Sequence, residues 1–402
     1  MITWLFDRRN QWGYVPNLIK DETIRPGTKE WYDLSIQSPF SYEFRFLKYC
    51  KLDAVKYQTA LVEDTTWSAP AYYPIAIELW DPHIDYFKLM DDLSLNLLQS
   101  GDIKVLFYYT EGDDPNVEIW DSLSEMCARN NVSMENVKFV IANWAVQDIH
   151  PFVYFPDDEL YYRYLHLIDN ENRWVDKVNF NRRKNITTCL MRADKLWRKI
   201  FASQMYELGL TKESYFSYIN YKYETSSIEE DKLENWEAIS EDLVKSITRF
   251  NLQLPFRADT LTDTEHNNHK LIQREYYNQS YWNIVVETHF NQDTVFLTEK
   301  TFKPILNLQP FVVVGNPHSL RLLKQLGYQT FGNIIDETYD TIADPEVRMN
   351  EMLNVAYSLH QRSHQDHINM QRILEEVLIY NQEHFLQPKQ ARIHNLLNQL
   401  EY

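Results

Sequence analysis

The chain has 402 residues, 44% of them hydrophobic and 14% aromatic, which is the make-up of folded globular domains and enough length for two or three of them. Its 58 acidic and 40 basic side chains leave a formal charge of −18, which argues against a general nucleic-acid binder but leaves room for a local basic site. Three widely separated cysteines supply no disulfide or zinc framework, and eight glycines form neither a Gly-x-Gly-x-x-Gly nor a Walker loop.

The first charges of "MITWLFDRRNQWGYVP" come too early for a secretory segment, and no apolar run approaches the ~18 residues of a membrane span. A soluble, cytoplasmic protein is expected, in the host cytoplasm if the source is viral.

The first hundred residues are rich in Trp and Tyr. Within them "YPIAIELWD" (73–81) suggests a strand, and "DYFKLMDDLSLNLLQSG" (85–101) a helix stopped at Gly101. A clearer rhythm follows. "IKVLFYYTEG" (103–112) is a predicted buried strand, "NVEIWDSLSEMCARNNV" (116–132) an amphipathic helix and "VKFVIANW" (137–144) a second buried strand. Strand, helix and strand at this spacing are the unit of a parallel, Rossmann-like sheet.

A second series begins with the strand "ITTCLMR" (186–192), the helix "KLWRKIFASQMYELGL" (195–210) and the strand "SYFSYIN" (214–220). The acidic stretch 226–243 suggests a solvated insertion or helix. "YWNIVVETHF" (281–290) is a predicted strand, and "DTVFLTEKTFKPILNLQPFVVVG" (293–315) a polar turn, a helix and a strand. "PHSLRLLKQLGY" (317–328) predicts a helix, and 345–399 is helical with heptad-like spacing. The chain therefore divides into two α/β domains, 1–175 and 176–402, the second ending in helices.

Between 177 and 199 stand eight bases, Lys177, Arg182, Arg183, Lys184, Arg192, Lys195, Arg198 and Lys199, against one acid, Asp194. A solvated face with weak surface ion pairs would account for them. Arg192 differs, because it falls at the end of a buried strand, where parallel sheets place their ligand crevice. Arg198 follows on the first turns of the next helix, and guanidinium forks there suit phosphate oxygens.

Thr298 has the chemistry of an N-cap, and a helix start with Lys300 beside it favours an anion. Glu299 repels a phosphate but accepts from paired hydroxyls such as those of a ribose. The plainer alternative is that Glu299 complements the helix dipole and Lys300 is solvated. His266 and His269, like His360, His364 and His367, have spacings that could hold a metal, but both groups lie in polar segments and no metal site is expected.

The segment "NIVVETHFNQDTVFLTEKTFKPILNLQPFVVVGNP" resembles the donor-binding motif of the α1,3/α1,4-fucosyltransferase family, and "CLMRADKLWRKIFASQMYELGL" resembles that family's other donor element. Similar paired segments occur in phage-type glycosyltransferase-like proteins. The resemblance covers roughly residues 184–340. It implies a GT-B-like architecture of two Rossmann-like domains, with a nucleotide-diphosphate sugar, GDP- or UDP-linked, in the second and the acceptor facing the first.

By the same resemblance Arg198 and Lys300 hold the diphosphate, Glu299 the ribose, Phe296 the aromatic position before the motif and Glu287 the Glu of Phe-Glu-Asn. Thr288 replaces the Asn, the loop is about two residues longer, and Pro304 should distort the following helix. The implied activity is a metal-independent, inverting transfer to a carbohydrate or other hydroxyl acceptor, with no cofactor. Glu111, past the strand "KVLFYY", is the candidate base, with Asp113 and Asp114 as rivals; an acidic turn capping the next helix would equally explain them. Two other readings compete: a transferase acting on hydroxylated DNA bases, disfavoured by the acidic first domain, and a non-catalytic nucleotide-binding protein of the same fold.

Overall fold

A computed structural model describes residues 2–6, 45–64, 67, 70–77, 80–112, 118–146, 149–168, 174–221, 241–258, 274–290 and 294–401. The chain forms two compact units, Met1–Leu165 with Pro388–Tyr402, and His166–Gln387. Asp113, Asp114, His266, His269 and most of the acidic stretch 226–243 lie outside the described residues. Among those described, no helix is long and apolar enough to cross a membrane.

The first unit holds strands β1 (Thr3–Phe6), β2 (Gln58–Leu61), β3 (Ala71–Ile77), β4 (Lys104–Tyr109), β5 (Val137–Ile141) and β6 (Phe152–Tyr154). They are parallel throughout, in the order β2-β1-β3-β4-β5-β6. Helices α1 (Arg45–Leu52), α2 (Asp92–Ser100), α3 (Glu118–Arg129) and α4 (Asp157–Ile168) accompany them.

Parallel strands need cover on both faces, and β4 shows how its sequence meets that demand. Val105, Phe107 and Tyr109 enter one core while Leu106 and Tyr108 enter the other. The helix expected over 85–101 is divided: Tyr86–Leu89 is a single 3-10 turn, and α2 starts afresh because Asp91 accepts from Ser94 N at 2.7 Å. Gly101, at φ +83°, ends it as expected.

The helix Gln390–Glu401 belongs to this first unit, not to the second domain where the sequence placed it. Ile393, Leu396 and Leu400 join the core beside Trp4, Tyr72 and Tyr108, and each buried aliphatic side chain contributes about 1.5–3 kcal/mol. Tyr72 Oη donates to Leu400 O at 2.6 Å, and Lys389 N to Asp53 Oδ2 at 2.8 Å. Heptad-like spacing identifies an apolar face; it does not say which sheet that face will cover.

The second unit contains β7 (Asn185–Ala193), α5 (Leu196–Glu207), β8 (Ser214–Tyr221), α6 (Glu241–Asn251), α7 (Arg274–Gln279), β9 (Ser280–Val286), α8 (Glu299–Leu306), β10 (Phe311–Val314), α9 (Ser319–Gln325), α10 (Pro345–His360) and α11 (His364–Leu386). The helix Gln390–Glu401 of the first unit is therefore α12.

Its sheet is parallel, in the order β10-β9-β7-β8. The chain leaves β7 through α5 toward β8, then returns to the other side of β7 as β9 and continues outward through α8 to β10. The direction of winding reverses between β7 and β9. Pro304 is the sixth residue of α8, where it removes one i→i−4 hydrogen bond, yet the helix runs on for two more residues to Leu306.

The fold is thus α/β, two Rossmann-like parallel sheets of the GT-B-like kind, each in its own unit.

Candidate functional site

The place to look in such a sheet is the carboxyl edge at the winding reversal, because the loops on either side diverge there and leave a crevice. Here that edge is formed by the end of β7, the start of α5, the end of β9 and the start of α8.

Glu287 follows β9 and is 1% exposed. Its Oε1 accepts from Thr298 N at 3.1 Å and Thr301 Oγ1 at 2.6 Å. Its Oε2 accepts from Thr298 Oγ1 at 2.6 Å and Thr288 N at 3.3 Å. The carboxylate therefore sits against the start of α8, where backbone donors and the helix dipole favour negative charge. Glycine at 315 leaves room for it: a Cβ there would stand 3.2 Å from Glu287 Cβ, a tight contact.

Thr298 is the N-cap, as expected, and its Oγ1 accepts from Lys300 N at 3.4 Å and Lys300 Nζ at 3.0 Å. Lys300 Nζ also donates to Thr288 Oγ1 at 3.1 Å and pairs with Glu299 Oε1 at 3.3 Å. Lys300 keeps about a third of its side chain exposed and Glu299 less, 32% against 16%. Phe296 is buried, its ring 5.9 Å from that of His289.

From the other side, Arg198 is buried on the first turns of α5 and its Nη2 donates to Glu287 O at 2.6 Å. Lys195, which precedes α5, donates to Thr288 O at 3.3 Å. Arg198, Lys195 and Lys300 thus close on one dipeptide, Glu287–Thr288, from elements about a hundred residues apart in sequence.

Lys199 pairs with Asp194 at 2.8 Å, and Tyr218 Oη donates to the same carboxylate at 2.7 Å. Arg192 stands in a register shift of β7 between Met191 and Ala193, the kind of irregularity that re-aims a side chain at a sheet rim. The edge gathers five cations (Arg192, Lys195, Arg198, Lys199, Lys300) against three carboxylates (Asp194, Glu287, Glu299), in a chain of net charge −18.

The rest of the basic run goes elsewhere. Arg183 precedes β7, at the opposite end of a nine-residue strand, and is buried. It donates to Asn179 O at 2.8 Å, Tyr277 O at 3.3 Å and Ser280 O, which ties the amino ends of β7 and β9 together. Burial lowers its guanidinium pKa to about 10. Eight bases that look like one patch in the sequence therefore divide between two edges of the sheet.

Arg348, on α10, shapes the crevice from behind and gave no signal in the sequence. Only 1% exposed, it donates to Gly315 O at 3.2 Å, Ile342 O at 2.7 Å, Ala343 O at 2.8 Å and Phe290 O. Its guanidinium also lies 4.6 Å from the centre of the Phe290 ring, and Phe290 stacks on Trp197 of α5 at 5.0 Å and 17°. The loops after β9 and β10 are joined in this way to the helix that carries Arg198. The start of α9 is closed to an anion, because Asp340 accepts from Leu320 N at 2.8 Å and Arg321 N at 3.0 Å.

Glu111 lies in the first unit just past β4, half-buried, and its carbonyl accepts from Ala142 N at 3.1 Å. The winding reversal of that sheet falls between β1 and β3, with β4 the next strand out. The three histidines of 360–367 are used in packing. His360 Nε2 meets Thr187 Oγ1 at 3.1 Å, His364 Nδ1 meets Tyr281 Oη at 3.2 Å, and His367 Nε2 meets Leu359 O at 3.1 Å. Among the described residues no three His, Cys, Asp or Glu side chains stand together in a way that could hold a metal.

No protein-family model and no curated protein matches the chain. Among solved structures, the crystal structure of an α1,3-fucosyltransferase matches over 98% of this chain and 90% of that chain, with a TM-score of 0.39 and 9% identity. A likeness of that size bears on neither activity nor substrate.

Proposed function

We propose that the protein is a glycosyltransferase that moves a sugar from a nucleotide-diphosphate donor to a hydroxyl acceptor, with inversion, and that the donor diphosphate lies at the β7/β9 edge. The observation that carries this reading is the convergence of Arg198, Lys195 and Lys300 on Glu287–Thr288, at the winding reversal of a parallel sheet.

Lys300 and Lys195, with Arg192 at the bulge, meet the diphosphate oxygens. Arg198, buried against the Glu287 carbonyl, supplies charge from behind and fixes the wall. Glu299 accepts from the ribose hydroxyls. Glu287, Thr298 and Phe296 hold the start of α8 in place rather than touching the donor.

In the reaction a carboxylate base, for which Glu111 is the candidate, takes the proton of the acceptor hydroxyl as its oxygen attacks the anomeric carbon. The bond from that carbon to the diphosphate oxygen breaks, and its electron pair leaves on the nucleotide. Fixed cations facing the leaving oxygens are worth most in the transition state, where the new charge appears. Five basic side chains at one edge can carry that neutralisation without a divalent ion.

Calorimetric titration with GDP and UDP tests the reading. The wild-type protein should bind one of them, and Lys300→Ala should weaken it at least tenfold while the melting temperature holds. Equal affinity in the variant would remove the donor site from this edge. Mass spectrometry of donor hydrolysis and transfer separates an enzyme from a binder.

A further inference from the structure

A second cleft lies on the second unit, away from the cation edge. It has a volume of about 530 Å³ and is lined by Tyr206, Glu207, Thr211, Lys212, Phe216 and Phe256. That volume is in the range of small-molecule sites. The cleft sits beside the carboxyl end of α5 and the amino end of β8, whereas the cations stand at the opposite ends of the strands, roughly 20–25 Å away along a strand of this length.

Phe256 is brought here by an antiparallel bridge to the outer edge of β8: Tyr218 N donates to Phe256 O at 2.9 Å and Phe256 N to Tyr218 O at 3.1 Å. The half-buried Tyr206 and Phe256 rings stand 5.8 Å apart, and Phe216 meets Phe256 edge-on at 5.4 Å and 80°. Together the rings make an apolar platform with electron-rich faces.

Around the platform the groups are hydrophilic and of both signs, Glu207 with Arg249 and Lys212. Glu207 and Lys212 are exposed, and Thr211 is half-buried. Arg249 Nε donates to Glu207 Oε1 at 2.6 Å, which orients the carboxylate and leaves Oε2 to accept. A charged ligand would meet groups of both signs, and a purely apolar one would strand the carboxylate and ammonium against it at a cost in desolvation. The chemistry that suits such a lining is a neutral ring with one C–H face and several hydroxyls. The C–H face stacks on an aromatic ring, and the hydroxyls both donate to a carboxylate and accept from an ammonium.

We infer that this cleft is a binding site for a neutral saccharide, separate from the crevice at the β7/β9 edge and independent of the reading proposed for it.

Gly209 gives a means of altering the cleft lining at a place with room for a side chain. It lines the cleft at φ +72°, and a Cβ placed there meets nothing within 4 Å. Asparagine tolerates that backbone conformation better than most residues, so Gly209→Asn adds a polar side chain at the cleft lining from a position where the fold has space.

The experiment is saturation-transfer difference NMR on the full chain without nucleotide, using glucose, galactose, mannose, N-acetylglucosamine, lactose and maltose as probes. At least one of them should receive saturation, strongest on the protons of one ring face. Gly209→Asn and, separately, Phe256→Leu should weaken the transfer at least several-fold, with cooperative unfolding and GDP or UDP affinity retained. No transfer to any of the six sugars overturns the inference. So does transfer that persists undiminished in both variants, since the sugar would then sit elsewhere.

Discussion

Replacing Glu287 by glutamine keeps the shape of the side chain and removes its charge, so it isolates what the carboxylate does for the start of α8. Each carboxylate oxygen accepts one backbone N–H and one hydroxyl: Thr298 N and Thr301 Oγ1 on one, Thr288 N and Thr298 Oγ1 on the other. Whichever oxygen becomes the amide nitrogen, one backbone N–H is left facing a donor in a site that is 1% exposed. One hydroxyl must also turn to accept, and Thr298 Oγ1 already accepts twice from Lys300.

A buried donor without a partner costs about 1–3 kcal/mol, and losing charge assistance in the remaining bonds adds roughly 1 kcal/mol. The expected loss is therefore about 2–4 kcal/mol, partly offset because a neutral amide is cheaper to bury than a carboxylate. In a unit of this size that lowers the melting temperature by roughly 5–15 °C. Urea unfolding followed by tryptophan fluorescence should show an earlier midpoint with an unchanged slope for the second unit. Pairing the change with Thr301→Val should give less than the sum of the two losses, because both act on one hydrogen bond. A Glu287→Gln protein within about 0.5 kcal/mol of wild type would refute the idea that the carboxylate holds the helix start.

Arg198 and Lys300 contact adjacent residues, so nucleotide-diphosphate binding by Arg198→Ala, Lys300→Ala and the double variant should depart from additivity by roughly 0.5–3 kcal/mol; strict additivity in calorimetry would count against a shared ligand. Transfer activity should persist in EDTA, and complete loss restored by manganese or magnesium would show that the basic side chains do not suffice. Burial lowers the His367 pKa from its ordinary 6.5 to about 4, opposed by its hydrogen bond to the Leu359 carbonyl and by Asp366, with Arg362 and His364 acting in the same direction as burial. The unfolded chain then binds the extra proton between about pH 6.5 and 4, so stability is full above that window and falls as pH drops through it. A stability profile of the second unit that is flat between pH 7 and 4, or one that His367→Gln leaves equally steep, would contradict this.

Local signals were enough for β3, β4, β5 and the four strands of the second sheet, but not for β1, β2 and β6, which are only three or four residues long and carry too little pattern to stand out. The apolar runs around β4, β5, β9 and β10 can only be buried strands, and Thr298 and Gly101 mark helix ends through chemistry that acts within a turn. The helix start at 298–300 and its neighbouring cations were legible for the same reason.

Tertiary structure decided everything that depends on which residues meet across the chain. Glu287 matched a motif in the sequence, but only the fold could turn it inward onto Thr298 and Thr301 and leave Lys300 at the rim. The basic run 177–199 is continuous in sequence, yet a strand carries its two halves to opposite edges, so Arg183 is a tie between strands while Arg198 stands at the crevice. Arg348 and the last helix were illegible for a related reason. An arginine in a helix and an apolar stripe read the same whatever they cover; the distant carbonyls of Phe290 and Gly315, and the first sheet, gave them their roles.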